Sequence, residues 1–574
     1  MVQLEYRCVS NHSGFIDTSS CCPVKVQFLG KQRTFTATQL YGMYLAKLRD
    51  IAHVESKAPV NNVVIAVPGW YTDVQRRAVL DAAEIAGLNA LRLINEGTAT
   101  AFGYGITKTD LPAPEEKARN VAFIDIGHSD YSVTIASFSK TGLTVKAAAY
   151  DRHFGGRDLD YALVEYFAEE FKTKYKIDVM SNQKAVFRLQ VAVERLKKIL
   201  SANIQAPLNV ESIMDDIDAS SSLTRETFEN LIAHLLDRTL APLETAIAES
   251  GFTKDDIDAI ELIGGTTRVP SLRQRIQDFF GKAPSVTTNQ DEAVARGATL
   301  ACATLSPVFR VREFTISDIT SYPIDIVWEK VPEDEDISLE LFNVRTVFPS
   351  TKIVTLQRSD TFELEARYSP FATLPGSTNP WLSKITVKGI TSTVDGLPAT
   401  IKVKSRVNQH GIFNFEGATL YETADDLGEI GQMDSAEKSA QSPNDSADVK
   451  KAKRTTSKKE LPIIVGSTAL EKSLLNSFRE QEGEIYENDK LVADTEVRNR
   501  FYLPNQFSLF FFPQDRKNAL EEYIYDTRDK LDATFASYVL YEEKETIRTR
   551  LDDTENWLYS DEVGKSFFVS ELRS

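Results

Sequence analysis

Cysteine is scarce in this chain, with four residues in 574, at Cys8, Cys21, Cys22 and Cys302. None stands in the spaced doublets of a zinc site, and the reading is of reduced thiols in a cytoplasmic protein, the nucleus being a second possible address. Long apolar runs are also missing. No stretch of about eighteen uninterrupted apolar residues occurs, and Met1 to Gly14 lacks the apolar core of a signal peptide, so no membrane span and no secretion are expected. Positive charge is in deficit. The 66 Lys and Arg against 83 Asp and Glu leave a formal charge of −17, which argues against nucleic acid and anionic membrane as partners.

What is present is enough apolar residue, 42%, to bury real cores. At roughly 150 residues per domain the length implies three or four folded units. Two glycine turns stand where apolar strands end: Asp125-Ile126-Gly127-His128-Ser129 after Val121 to Ile124, and Gly264-Gly265-Thr266-Thr267-Arg268 after Ile260 to Ile263. Glycine followed by hydroxyl residues lets bare backbone approach an oxyanion and supplies N–H and O–H donors, so the pair suggests a split nucleotide site. Each turn alone reads more often as plain turn chemistry.

From Thr36 to about Ala303 helix and strand patterns alternate. Helices are expected at Thr38 to His53, Thr72 to Ala86, Leu159 to Tyr175 and Gln183 to Ser201, with strands at Val63 to Val67 and Leu91 to Asn95. Thr72 with Gln75 forms a capping box, and Tyr131 to Phe138 pairs with Thr144 to Tyr150 as a hairpin. Beyond Ser306 the period becomes two, as in Phe362-Glu363-Leu364-Glu365-Ala366-Arg367-Tyr368, and similar runs at Ile324 to Trp328, Leu339 to Phe342, Ile353 to Leu356, Ile385 to Ile390 and Ile401 to Val407 imply a β-sandwich. Between Thr423 and Glu460 aromatics vanish and charge dominates, which reads as a disordered loop. Ala469 to Thr495 and Lys517 to Leu531 have helical spacing.

An ordered set of motifs resembles the seventy-kilodalton heat-shock chaperone superfamily: Val67-Pro68-Gly69-Trp70-Tyr71, Gln75-Arg76, Ile94-Asn95-Glu96, Phe154-Gly155-Gly156-Arg157-Asp158, Gly264-Gly265-Thr266-Thr267-Arg268-Val269-Pro270 and Asp291-Glu292-Ala293-Val294-Ala295. Asp125-Ile126-Gly127-His128-Ser129, Ser306-Pro307 and Glu555-Asn556-Trp557-Leu558-Tyr559 are similar to its larger, hundred-and-ten-kilodalton branch of fungal type. The resemblance implies a multidomain chain, α/β plus all-β plus α. An actin-like nucleotide-binding domain, incomplete at its amino end, spans 26–304, a linker 305–312, a sandwich 313–422, the charged loop 423–460 and a helical lid 461–574. Residues 1–25 have no counterpart.

The resemblance further implies ATP or ADP with Mg2+ as cofactors. Glu194, Lys197, Lys198 and Ser201 would contact the adenosine; they fall at i, i+3, i+4 and i+7 on one helix face, which also reads as a solvated face with a Glu194 to Lys198 pair. Gly264, Gly265, Thr266 and Arg268 would hold the other side, Arg268 by stacking. Gly127, His128, Ser129, Gly155 and Gly156 would line the phosphates, with His128 crowding or donating to the terminal one, or simply satisfied in the fold. Asp125 and Asp291 would face Mg2+ through water, and Glu96 would order the catalytic water.

Two features depart from the family. The opening strand and glycine clamp, with the lysine that aids phosphoryl transfer, have no counterpart, and Ser132 stands where the hydrolysing branch has a carboxylate, so weak or absent hydrolysis is expected. Residues 499–516 place Phe501, Phe507, Phe510, Phe511 and Phe512 between helical segments and read as an unremoved intervening sequence, or else as a membrane-touching or partner-binding loop. The expected role is a co-chaperone: nucleotide exchange factor for a heat-shock protein 70 partner and holder of unfolded protein clients. The alternatives are an ATP-hydrolysing folding chaperone, a sugar kinase or actin relative, and a non-functional fragment of a gene.

Overall fold

The computed structural model describes residues 24–28, 31–331, 334, 336–376, 378–390, 398–424, 455–502, 528, 544–545 and 547–552. The chain divides into two compact units, Met1–Gly483 and Glu484–Ser574. The first begins with a hairpin, β1 (Val24–Phe28) and β2 (Lys31–Phe35), then α1 (Ala37–Ser56), β3 (Asn62–Val67), α2 (Asp73–Ile85), β4 (Asn89–Asn95) and α3 (Glu96–Thr107). Next come β5 (Arg119–Ile126), β6 (Tyr131–Ser139), β7 (Gly142–Asp151), α4 (Gly156–Tyr175) and α5 (Gln183–Ala202). A hairpin of β8 (Gln205–Met214) and β9 (Ile217–Thr224) precedes α6 (Arg225–Leu231), α7 (Ala233–Leu236) and α8 (Leu240–Ser250). β10 (Ala259–Ile263), α9 (Pro270–Phe280) and α10 (Ala293–Leu305) complete the α/β part.

β5, β6 and β7 form an antiparallel meander, and β10 lies parallel beside β5 with Ile263 opposite Asp125. β5 is buried along nearly its whole length because helices cover both faces of this sheet. On one side Tyr131, Phe154, Phe167 and Phe171 are fully buried; on the other lie Phe102, Phe123 and Phe138. Each such ring, taken out of water, stabilises the fold by about 1.5–3 kcal/mol. Helix α3 packs against α10 at backbone distance, since a Cβ on Gly103 would lie 3.2 Å from the Gly297 Cα. The Thr72 and Gln75 box caps α2 as expected from the sequence.

β11 (Thr315–Ile319) departs from the sequence reading, which assigned residues from 313 onward to the sandwich. It runs parallel to β7 and extends the α/β sheet, and β14 (Val347–Phe348) pairs with it in turn. The sandwich proper has one sheet of β12 (Ile324–Trp328), β13 (Ser338–Phe342), β16 (Phe362–Tyr368), β17 (Trp381–Val387) and β21 (Ile463–Ser467). The other holds β15 (Ser350–Arg358), β18 (Ala399–Val407), β19 (Phe413–Ala424) and β20 (Thr455–Leu461). β20 corrects the loop assigned to 423–460: residues 455–460 are a strand, and 423–424 end β19. Composition hid it because this edge strand is polar except for the buried Leu461. Residues 425–454 lie outside the described residues, as do Asp395-Gly396, a pair that reads from sequence as a turn of the sandwich, the Glu555 to Tyr559 motif, nearly all of Lys517 to Leu531, and residues 503–516 of the aromatic segment. α11 (Lys472–Tyr502) includes 499–502, and 24–25 belong to β1.

The sandwich is fastened to the α/β part through buried polar contacts. Tyr368 Oη accepts from the Asp73 N–H at 2.8 Å, and the Phe413 N–H donates to Asp73 Oδ2 at 2.9 Å. Asp318 on β11 accepts through Oδ1 from Asn95 Nδ2 at 3.0 Å, Thr98 Oγ1 at 2.8 Å and the Ile319 N–H at 2.9 Å. At the far end of α3, Arg312 donates to the carbonyls of Gly105 and Lys108, both at 2.9 Å, satisfying a helix terminus. Removing the Asp318 carboxylate leaves three buried donors unpaired, so Asp318→Ala is expected to lower stability by about 1–3 kcal/mol in urea unfolding. A loss below about 0.5 kcal/mol would show that water replaces it without cost.

Candidate nucleotide cleft

Because β5 and β10 run parallel in register, their carboxyl ends deliver two glycine turns to one edge of the sheet, and the amino end of α4 arrives beside them. The Gly127 carbonyl joins all three. It accepts from the Gly156 N–H at 2.9 Å and from Thr266 Oγ1 at 2.8 Å. The Gly127 N–H donates to the Asp130 carbonyl at 3.1 Å, closing the first turn, and the Arg157 N–H donates to the His128 carbonyl at 2.9 Å. Behind the turns, Lys197 donates to the Gly156 carbonyl at 2.9 Å and pairs with Asp160 at 2.8 Å, with only 7% of the residue exposed.

The glycines fall into two kinds. A Cβ would lie 2.5 Å from the His128 carbonyl oxygen at Gly155, 2.6 Å from Thr266 Oγ1 at Gly156, and 2.6 Å from Asp125 Oδ1 at Gly264. Gly264 also has φ 81° and ψ 142°, a region that is essentially glycine's alone. Packing within the chain therefore demands these three. At Gly127 the nearest atom to a Cβ is 3.7 Å away and at Gly265 it is 3.6 Å, ordinary contacts that the fold would tolerate. Bare backbone there keeps the front of the turns open. The first-turn amides of α4 are already taken, by Gly127, His128 and Asp158. Among the described residues the N–H groups of His128 and Ser129 have no acceptor, and both residues are exposed.

Carboxylates crowd the opening. Burial first, then Asp130 and Asp125, pushes the Glu96 carboxyl up to about 8, and burial followed by Asp130 raises that of Asp125 to about 7. Asp130 accepts from Trp70 Nε1 at 3.4 Å, so the segment before α2 reaches across to the first turn. Three acidic groups with little to offset them make a setting that favours a hard cation with its water shell. No group of three or more His, Cys, Asp or Glu that could hold a metal ion occurs among the described residues.

The remaining residues picked from sequence are placed as follows. Glu194 and Lys198 form an exposed pair at 2.7 Å, and Ser201 Oγ donates back to the Lys197 carbonyl at 3.1 Å. Of the four on that face of α5, Lys197 alone turns inward. Arg268 pairs with Asp291 at 2.6 Å and donates to Gln290 at 3.3 Å, with about half of each charged side chain exposed at 49% and 58%. Asp291 therefore answers to Arg268, and the carboxylate bearing on Asp125 is Asp130. The His128 side chain is exposed, and its charge bears on Asp160 and Glu194. Asp130, Asp160 and Trp70 were missed. Asp130 directly follows the quoted turn, and Asp160 stands one helical turn after Gly156, the spacing at which a buried lysine partner can be sought.

Both Gly264 and Gly251 have positive φ, but a Cβ on Gly251 meets nothing within 4 Å. Gly251→Ala is expected to cost roughly 1 kcal/mol, and Gly264→Ala at least about 1–3 kcal/mol more because the Ile126 backbone carbonyl, which the added Cβ would strike, must move along with Asp125. Equal losses in urea unfolding would refute the clash. The pH profile supplies a second check. Glu96 has its ordinary value of 4.5 when unfolded and about 8 when folded, so between those values the folded chain holds the extra proton. Its contribution is complete below about 4.5 and is lost as pH rises through 8. Without ligand, thermal unfolding of Glu96→Gln is expected to fall less steeply between pH 5 and 8.5 than that of the parent; superimposable profiles would exclude this.

The profile of the Hsp70 protein family matches residues 16–571. Heat shock protein hsp88 of Neurospora crassa is 46% identical over 97% of this chain and 76% of its own length. A heat shock protein homolog of Saccharomyces cerevisiae is 43% identical over 94% and 74%, and heat shock 70 kDa protein 4 of Rattus norvegicus is 38% identical over 96% and 68%.

Proposed function

This chain belongs to the Hsp70 protein family, in the company of its large heat shock proteins, and from that premise we propose that it is a nucleotide-binding co-chaperone. Its work is to release nucleotide from a partner heat shock protein 70 and to hold unfolded protein, with ATP or ADP and Mg2+ fixing its own shape. The observation that carries the reading is the pair of glycines, Gly127 and Gly265, whose missing Cβ atoms the chain's own packing does not require. An oxyanion approaching the unpaired amides of His128 and Ser129 does require it.

In this arrangement Gly155, Gly156 and Gly264 hold the cradle in shape, and Thr266 and Lys197 brace it from behind. Arg268, Glu194 and Lys198 border the adenosine, and Ser201 closes that face. Asp125 and Asp291 hold the water shell of Mg2+, which neutralises phosphate charge when bound. Glu96 lies at the start of α3, where it can orient a water. Ser132 stands directly opposite Asp125 in the β5 to β6 ladder. A hydroxyl there leaves Asp125 without a carboxylate neighbour across the strand, which supports ligand binding with little turnover. The alternating strands of the sandwich supply the surface for clients.

Mixing the chain with a heat shock protein 70 preloaded with fluorescent ADP is expected to speed nucleotide release by at least tenfold. Calorimetry is expected to show uptake of ADP with Mg2+ accompanied by proton loss near pH 7, because a cation displaces protons from Asp125 and Glu96. Unchanged release at stoichiometric concentration sinks the exchange role, and no uptake of either nucleotide sinks the cleft.

A further inference from the structure

The loop Asn408–Gly411 joins β18 to β19 and lies against the free edge of β4, whose other edge pairs with β3. Its side chains occupy the positions of a missing strand. Gln409 Nε2 donates to the Leu91 carbonyl at 3.0 Å, and His410 Nδ1 accepts from the Leu93 N–H at 3.2 Å. A peptide N–H can only donate, so Nδ1 must be unprotonated for the second bond to exist. The loop is braced for this task. Asn408 Oδ1 accepts from the N–H groups of His410 at 2.9 Å and Ile412 at 3.1 Å, and Arg76 donates to the His410 carbonyl at 3.3 Å.

We propose that Asn408–Gly411 is an acid-released latch, in which protonation of His410 at Nδ1 turns the acceptor into a donor facing the Leu93 N–H and frees the sandwich from β4. The inference is independent of the nucleotide reading. The groups facing His410 are of mixed sign. Arg92 comes from β4, Arg76 from α2, and Arg479 from α11; the last lines a cleft of about 370 Å³ with His410. Glu84 of α2 lines the same cleft, and Asp318 of β11 acts on Arg76 and Arg92. The cations prevail: burial, then Arg92 and Arg76, hold His410 below its ordinary value of 6.5. The docked loop therefore resists a proton that the released loop accepts. Stability of docking is complete above about 6.5 and is lost below it, by at most about tenfold in the docking equilibrium per pH unit for a single proton.

Hydrogen exchange in the full chain tests this. Protection of the 89–95 segment, corrected for the intrinsic pH dependence of exchange, is expected to fall by up to about fivefold between pH 6.5 and 5.5. In His410→Gln the side-chain carbonyl can accept from Leu93 without titrating, and protection is expected to change less than twofold over the same range. Arg92→Ala removes a guanidinium that opposes the proton in the docked loop, and is expected to make the fall in protection shallower. Unchanged protection of the parent chain down to pH 5.5 would overturn the latch. So would the same fall in His410→Gln, which would assign the effect to another group, or an undiminished fall in Arg92→Ala.

Discussion

One carbonyl, that of Gly127, holds the cleft together. It spends both lone pairs, one on the Gly156 N–H and one on the Thr266 hydroxyl, so elements far apart in sequence share a single acceptor. The arrangement works because β5 and β10 are parallel and in register, which brings the ends of both strands to the same level. It also explains why α4 contributes position more than donors: its first amides close onto the neighbouring turns. A carbonyl satisfied twice is costly to move, so the turns shift as one body or not at all.

Helix α3 connects this cleft to the sandwich. Its amino end carries Glu96 beside Asp125 and Asp130, and the same first turn gives Thr98 to Asp318 on β11. Its carboxyl end is closed by Arg312, and Phe314 lies against Phe102 with ring centres 5.9 Å apart. The segment that leads to the sandwich thus grips α3 at both ends. Because α3 meets α10 at backbone distance through Gly103 and Gly297, it has little room to slide independently.

The strong periodic elements were legible in the sequence because burial enforces their pattern. β12 was read to the residue, and α5 within one residue of its end, with Asn182 capping its start. What could not be read follows from physics that composition does not carry. β11 has an unremarkable alternating pattern; only the register with β7 places it in the α/β sheet. β20 is an edge strand whose outward residues are polar, so its chemistry looks like loop. Within the cleft, residue types were legible but partners were not. The sequence spacing that puts Lys197 on a face with Glu194 and Lys198 does not reveal that Asp160 waits on α4 to turn it inward.

That last difference decides which charges a ligand can recruit. Exposed pairs such as Glu194 with Lys198 and Arg268 with Asp291 are each worth about 0–1 kcal/mol, so a phosphate or an adenosine can open them at little cost. Lys197 with Asp160 is buried on both sides, and taking the lysine away would strand a carboxylate at about 3–5 kcal/mol. It would also release the Gly156 carbonyl that Lys197 holds. In the proposed reading a nucleotide would therefore meet the exposed pairs against a backbone cradle that the buried pair keeps fixed. The cleft divides its charges between those that respond and those that hold, and exposure determines which is which.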